Sequence, residues 1–199
     1  MIARRIVLAS ASPRRRELLA SLGLEVLVRP TGVDEDIDLG LEPPETALFH
    51  ARAKAAAAAT AGDEDLIVAA DTVVDLDGIA LAKPADAAEA SAMLSSLAGR
   101  EHLVHTAFVV VAPSGGQLER LSTTRVRFYP LDQSEIEAYI ATGDPFDKAG
   151  AYGIQGIGAA LVERIDGDFY TVMGFPLGLF VRTLPELGYA VPYRALTPL

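Results

Sequence analysis

The stretch LIVAADTVVDLDGIALAKP, residues 66–84, constrains this chain more than any other. It opens with five apolar residues, 66–70, a continuous run of the kind that is buried on both faces of a sheet. The run breaks at Asp71-Thr72, so an ionisable carboxylate stands where a buried strand emerges. Burying an unpaired carboxylate is costly or forces its protonation, so packing alone rarely puts one there. Asp77-Gly78 is a strong hairpin signal and folds residues 79–83 back beside 71–75. A two-residue loop sets Thr72 opposite Lys83, with Asp71 as the diagonal neighbour. A slip of one residue would exchange the faces but keep the proximity. An acid and an ammonium thus meet at a sheet rim, either as an edge salt bridge or as the nucleus of a site.

With 199 residues, half of them hydrophobic, the chain can bury a substantial core, and 1–199 reads as one domain. No run approaches the ~20 apolar residues that span a bilayer, so no membrane partner is expected. The opening MIARRIVLASASPRRREL mimics a signal peptide, but its apolar patch at 6–9 is too short and three arginines follow. It reads as the first strand of a cytoplasmic protein. The absence of cysteine excludes disulfides and thiolate metal sites. A net charge of -10 argues against a broad nucleic-acid surface. A small polyanion is still compatible, provided positive charge or a divalent cation is concentrated in one cleft. The lysines are informative here: there are three, Lys54, Lys83 and Lys148, against fourteen arginines. Their placement in conspicuous motifs points to a need for compact point charge.

Along the chain, 6–9 reads as a strand, after which Ser12 N-caps a helix with Pro13 in its first position and Gly23 at its stop. Arg14, Arg15 and Arg16 then occupy the first turn, the wrong sign for the helix dipole. They make sense as a clamp on an anion docked at the free N–H groups, or as a solvated basic turn paired with Glu17 or another surface acid. Residues 24–29 form a second strand, followed by an acidic loop at 30–44. Its Asp34, Glu35, Asp36 and Asp38 either hold a divalent cation or are simply solvated. The alanine-rich 45–60 is a helix in which His50 reads as a surface or boundary residue. Asp86 with Glu89, and Asp132 with Glu135, are capping boxes for helices ending near Gly99 and Gly143. Between them, 103–112 and 118–128 are strands. His102 and His105 lack partners at metal spacing and read as core or surface residues. In GDPFDKAGAYGIQG, residues 143–156, backbone shape dominates, and Lys148 and Gln155 stand out. Lysine supplies charge to a phosphate, and a glutamine amide both donates to and accepts from a planar base edge. Residues 159–165 and 169–173 read as a hairpin around Asp166-Gly167-Asp168, and Pro176 starts a final helix that Pro185 bends or ends.

Three segments together resemble the Maf family of nucleoside triphosphate pyrophosphatases: LASASPRRRELL (8–19), AADTVVDLDGIALAKP (69–84) and GDPFDKAGAYGIQG (143–156). MLSSLAGREHLVHTA (93–107) and IDGDFYTVMGFPL (165–177) match in style, so the resemblance covers nearly the whole chain. It implies an α/β fold, a twisted mixed β-sheet with flanking helices and two lobes around a central cleft. It implies hydrolysis between the α- and β-phosphates of a nucleoside triphosphate, with Mg²⁺ or Mn²⁺ as cofactor, and a homodimer. Carried over by motif, Asp71 is the proton acceptor. Ser10, Arg14, Arg15, Lys54, Lys83 and Lys148 bind phosphate, and Glu35 joins Asp71 at the metal. At the base-selecting positions, Arg14, Thr72 and Gln155 resemble the subgroup acting on dTTP and UTP rather than the one directed at 7-methyl-GTP.

The residues support that chemistry on their own terms. Hydrolysis at phosphorus needs charge neutralisation on the non-bridging oxygens, an oriented water and a base within reach of it. A divalent cation on oxygen ligands explains how an acidic protein handles a tetra-anion. Two rivals stay open: a nucleotidyltransferase, which needs a second acceptor substrate, and a non-catalytic nucleotide-binding regulator of cell division.

Overall fold

The structure is a computed structural model that describes residues 5–34, 40–59 and 64–191, with the backbone of 197–198. Strand β1 (Ile6–Leu8) runs into helix α1 (Pro13–Ser21), which starts as its sequence dictates. The Ser12 hydroxyl accepts from the Arg15 N–H at 3.4 Å, and Pro13 is the first helical residue. Then follow β2 (Val26–Val28), α2 (Pro43–Ala58), β3 (Leu66–Leu76), β4 (Ile79–Leu81), α3 (Ala87–Leu97), β5 (Glu101–Val111), β6 (Gln117–Phe128) and α4 (Gln133–Ala141). After a glycine-rich segment of 3₁₀ turns come β7 (Val162–Asp166), α5 (Phe169–Met173) and α6 (Leu177–Thr183). Asp86 and Asp132 cap α3 and α4 as read from the sequence, each accepting from the N–H three residues on.

Among the described residues seven strands form one twisted mixed sheet in the order β2-β1-β3-β5-β6-β7, with β4 also paired to β3. The expected α/β architecture is therefore observed. The long strand β3 is paired with β5 along one edge, from Ile67 to Asp75. Its other edge is shared: β1 takes Leu66–Val68 in parallel, and β4 takes Val74–Leu76 antiparallel. Residues 69–73 lie in the gap between those two partners. Such a divergence of neighbouring strands opens a crevice beside the sheet, the place where α/β folds bind ligands.

Helix α2 covers one face of the sheet with a stripe of small residues. Ala47, Ala51, Ala55 and Ala58 are all fully buried, against Ile67, Ala69 and Val109. On the other face lie two separate cores. One joins β1 and the first half of β3 to α1 and α6, around Phe108, Phe175 and Phe180, whose ring centroids lie 5.2–5.9 Å apart, Phe180 edge-on to the other two. The second joins the far half of β3 to α3 and α4, with His102, Phe128 and Tyr152 in mutual ring contact. These two cores are the two lobes, and the crevice lies between them.

The structure corrects the sequence reading in several places. The strand does not end at Asp71 but carries it along its middle, still only 6% exposed. Residues 169–173 are a helix, not the second arm of a hairpin. Asp168 caps it by accepting from the Thr171 N–H at 2.8 Å, and β7 pairs instead with β6. His50 is buried, not superficial. Of the two roles read for His102 and His105, core and surface, the structure gives both the core one: they are held to Tyr152 and to Asp75 with Thr123. No helix among the described residues is long and apolar enough to cross a membrane.

Burial pushes the His102 imidazole down from 6.5 to about 4, against the pull of nearby Asp75. Between those values the unfolded chain binds a proton that the folded chain does not. Stability from this group is therefore complete above pH 6.5 and is lost as pH falls to about 4. The loss amounts to roughly 3 kcal/mol. Urea unfolding at pH 7, 5.5 and 4.5 should show this decline in the wild type and a flatter one in His102→Gln. Equal slopes in the two proteins would remove His102 as the cause.

Candidate active site

The gap in the β3 edge opens into a cleft of about 530 Å³, within the usual size of small-molecule sites. One wall is the start of α1, with Ser10, Arg14 and Arg15; the floor is Asp71, Thr72, Val74 and Val104. Lys83 stands where the hairpin leaves the sheet. The opposite wall is the glycine-rich segment, with Lys148 and Gln155, and the end of α5 at Gly174 closes the back. Eight of the residues read from the sequence thus share one cavity. Lys54 stands behind it, and Glu35 lies outside the described residues.

Asp71 faces α2, and its carboxylate is held there by two residues one helical turn apart. Lys54 Nζ donates to Oδ1 at 2.6 Å, and His50 Nδ1 approaches Oδ2 at 3.5 Å. All three side chains are at least nine-tenths buried. Burial pushes the Asp71 carboxyl up, but the His50 hydrogen bond and the charges of Lys54 and Arg15 outweigh it and hold it below the usual carboxylate range. Asp71 is therefore ionised throughout the neutral range. The ammonium beside it is that of Lys54, not Lys83. Pairing of the hairpin stops at Val74 and Leu81, two residues short of the expected Thr72–Lys83 contact. His50 is the neighbour of Asp71 that sequence reasoning missed. The signal was faint: 47, 50, 51, 54, 55 and 58 fall on one helical stripe, but Ala53, Ala56 and Ala57 lie off it, so the sequence does not mark which stripe is buried.

Thr72 points to the other face. There Arg15, 9% exposed, makes a three-way tie, donating to Thr72 Oγ1 (3.0 Å), Ser10 Oγ (3.1 Å) and the Gly174 carbonyl (2.9 Å). Its guanidinium thus braces the cleft floor as well as charging it. Gly174 sits at φ +106, a backbone conformation that side chains rarely adopt, so the corner that turns its carbonyl to Arg15 favours a glycine. Across the cleft, Gly150 at φ +68 donates its N–H to Ala82 O at 3.0 Å; a Cβ on it would come within 2.9 Å of Val74. That close approach fixes the glycine-rich wall against the hairpin. Lys148 Nζ is held by the Asp144 carbonyl (2.5 Å) and by Asp147 Oδ1 (2.6 Å), while Asp147 Oδ2 accepts from Arg14 at 3.2 Å. Two candidate phosphate binders therefore share one exposed carboxylate. Gln155 is exposed on the cleft lip.

A sequence profile described as "Maf-like protein" matches residues 5–187. The chain belongs to the Maf-like family. Among its curated relatives, a protein of Moorella thermoacetica named dTTP/UTP pyrophosphatase is 49% identical over 87% of this chain and 90% of its own. One of Thermus thermophilus with the same name is 48% identical, covering 92% and 95%; another, of Pyrococcus furiosus, is 44% identical, covering 94% and 96%. Among solved structures, a HAM1 protein from Coxiella burnetii shares the fold at 16% identity and a TM-score of 0.52, over 92% of this chain and 99% of its own.

In this Maf-like chain no cluster of three or more metal-ligating side chains stands ready among the described residues. Asp71 nonetheless fits an Mg²⁺-type cation carried in by a phosphate chain. It is a hard oxygen donor on the cleft floor, and such ions need only one or two carboxylates beside the phosphates.

Removing one partner of the buried pair strands the other. Lys54→Met should therefore cost about 3–5 kcal/mol of stability, while the double substitution Lys54→Met with Asp71→Leu should recover at least half of it. Chemical denaturation of the three proteins checks this; a near-neutral single variant would show that the pair is not desolvated.

Proposed function

We propose that this chain hydrolyses nucleoside triphosphates of the dTTP and UTP type between the α- and β-phosphates, giving the monophosphate and pyrophosphate. The observation that carries the reading is an ionised carboxylate on the floor of a cleft whose walls present Arg14, Arg15, Lys83 and Lys148, partly offset by Asp144 and Asp147. The names of relatives at 44–49% identity support the substrate class.

In this mechanism the triphosphate lies along the α1 wall. Ser10 and the Arg14 N–H in the first turn of α1 receive phosphate oxygens, and Arg14, Lys83 and Lys148 neutralise the charge that develops as the bridging bond breaks. Asp71 orients a water toward the α-phosphorus and accepts its proton as the oxygen attacks. Lys54 and His50 keep the carboxylate ionised and fix its rotamer, so little reorganisation is needed at the moment of reaction. A divalent cation held by Asp71 and Glu35 would add charge neutralisation and polarise the phosphoryl group. Gln155 and Thr72 read the base, and Arg14 completes the set that distinguishes the dTTP/UTP type from the 7-methyl-GTP type.

A nucleotide panel with Mg²⁺, scoring pyrophosphate separately from orthophosphate, should give pyrophosphate from dTTP and UTP with water alone. A requirement for a second acceptor would instead favour a nucleotidyltransferase, and binding without turnover a regulator. Asp71→Asn keeps the volume and an acceptor for Lys54 and should lower kcat more than tenfold. Retention of over a tenth of the rate, a barrier change below about 1.4 kcal/mol, removes Asp71 from the chemistry. Gln155→Ala should relax the choice of base; an unchanged preference of dTTP over dCTP takes Gln155 out of base reading.

A further inference from the structure

Behind Thr72 runs a short chain of hydroxyls whose direction is fixed at both ends. Thr72 Oγ1 lies 3.0 Å from Arg15 Nη2 and 3.0 Å from Thr106 Oγ1. Thr106 Oγ1, fully buried, lies 2.8 Å from the Thr171 carbonyl oxygen. A guanidinium can only donate and a carbonyl can only accept. Thr106 must therefore give its one proton to Thr171, since two oxygen lone pairs facing each other at that distance would repel. It then accepts from Thr72, which gives its own proton inward. The outer lone pair of Thr72 is taken by Arg15. What Thr72 has left for the cleft it lines is one acceptor lone pair and no donor.

This arrangement is built rather than incidental. The Thr171 carbonyl is held over Thr106 by α5, which Asp168 caps. The Thr171 hydroxyl donates to Asp168 Oδ2 at 2.8 Å, and Ser122 Oγ lies 2.7 Å from that same hydroxyl. Thr124 exchanges hydrogen bonds with both the N–H and the carbonyl of Asp168. The far end of the chain is thus anchored on β6.

We infer that Thr106 is a specificity-determining positioning residue: by taking the proton of Thr72 it makes Thr72 an obligate acceptor, which selects a base carrying an imide N3–H. The inference rests on the proposed function. Uracil and thymine carry a single donor on their pairing edge, N3–H, between two carbonyl oxygens. Cytosine presents a lone pair at N3, which would face the lone pair of Thr72. A site whose buried polar group is left unpaired rejects the wrong ligand far more strongly than one that loses a packing contact.

The test compares kcat/KM for dTTP and dCTP in the wild type, Thr106→Val and Thr106→Ser, with circular dichroism as the check on folding. The wild type should prefer dTTP by ~100-fold or more. Thr106→Val keeps the shape but frees the Thr72 proton to turn outward, so the preference should fall at least tenfold, mainly through a gain on dCTP. Thr106→Ser restores the acceptor and should keep the preference within about threefold of wild type. A Thr106→Val protein with unchanged preference overturns the inference, as does a Thr106→Ser protein that loses it. Should the valine variant not fold, the wild type decides with N3-methyl-dTTP and with 3′-deoxy-dTTP. Loss of turnover on the first alone supports the inference; loss on the second alone assigns the donor to the sugar hydroxyl and overturns it. Failure of the wild type to release pyrophosphate from dTTP brings down the proposed function itself, whereas release with an unmoved preference brings down only this inference.

Discussion

A carboxylate kept ionised inside the protein is the constraint to which the rest of this structure answers. Asp71 is 6% exposed, and an isolated charge in that position would be protonated or would unfold its surroundings. It is tolerated because Lys54 reaches it at 2.6 Å from the helix above. For a lysine to do so from α2 without leaving a void, the helix must lie close on the sheet, and a stripe of alanines permits that approach. The alanine stripe, which carries no chemistry, is thus the geometric condition for the buried pair. The interrupted edge of β3 is the other condition, since a strand paired on both sides at 69–73 would leave the acid no route to the cleft.

Alternation along β3 then divides the work between neighbouring residues. Asp71 projects toward α2, where charge is balanced by charge. Thr72 projects the opposite way, into a network of hydroxyls and one guanidinium in which polarity rather than charge is organised. Arg15 connects the two sides: its charge helps hold Asp71 ionised while its N–H groups tie Ser10, Thr72 and Gly174 together. Substitution of Arg15 by lysine would keep the first effect and lose the second, because an ammonium has no planar fork to span three acceptors.

Local features were the most legible from the sequence. Ser12, Asp86 and Asp132 cap helices because a short acceptor side chain beside free N–H groups does so almost regardless of context. The cleft residues were legible as a set because each stands in a segment of unusual composition. Contacts between layers were not. The hairpin made Lys83 the obvious partner of Asp71, whereas the true partner comes from a helix seventeen residues upstream, through a packing decision no local pattern encodes. His50 was hidden because a helix so rich in alanine gives little contrast between its faces. Asp168 was misread because Asp-Gly-Asp serves a hairpin turn and a helix cap equally well; the choice is made by Thr124, which grips both backbone groups of Asp168 from the neighbouring strand.

The carboxylate of Asp147 joins Arg14 on one wall to Lys148 on the other, one oxygen for each. Under the proposed function, a polyphosphate engaging those cations would not meet bare positive charge; it would trade places with an anion already seated there. Affinity at this spot would then be set by the difference between two anions, with added salt weakening both sides of the exchange. Binding should accordingly be less sensitive to ionic strength than a count of the basic residues around the cleft would imply.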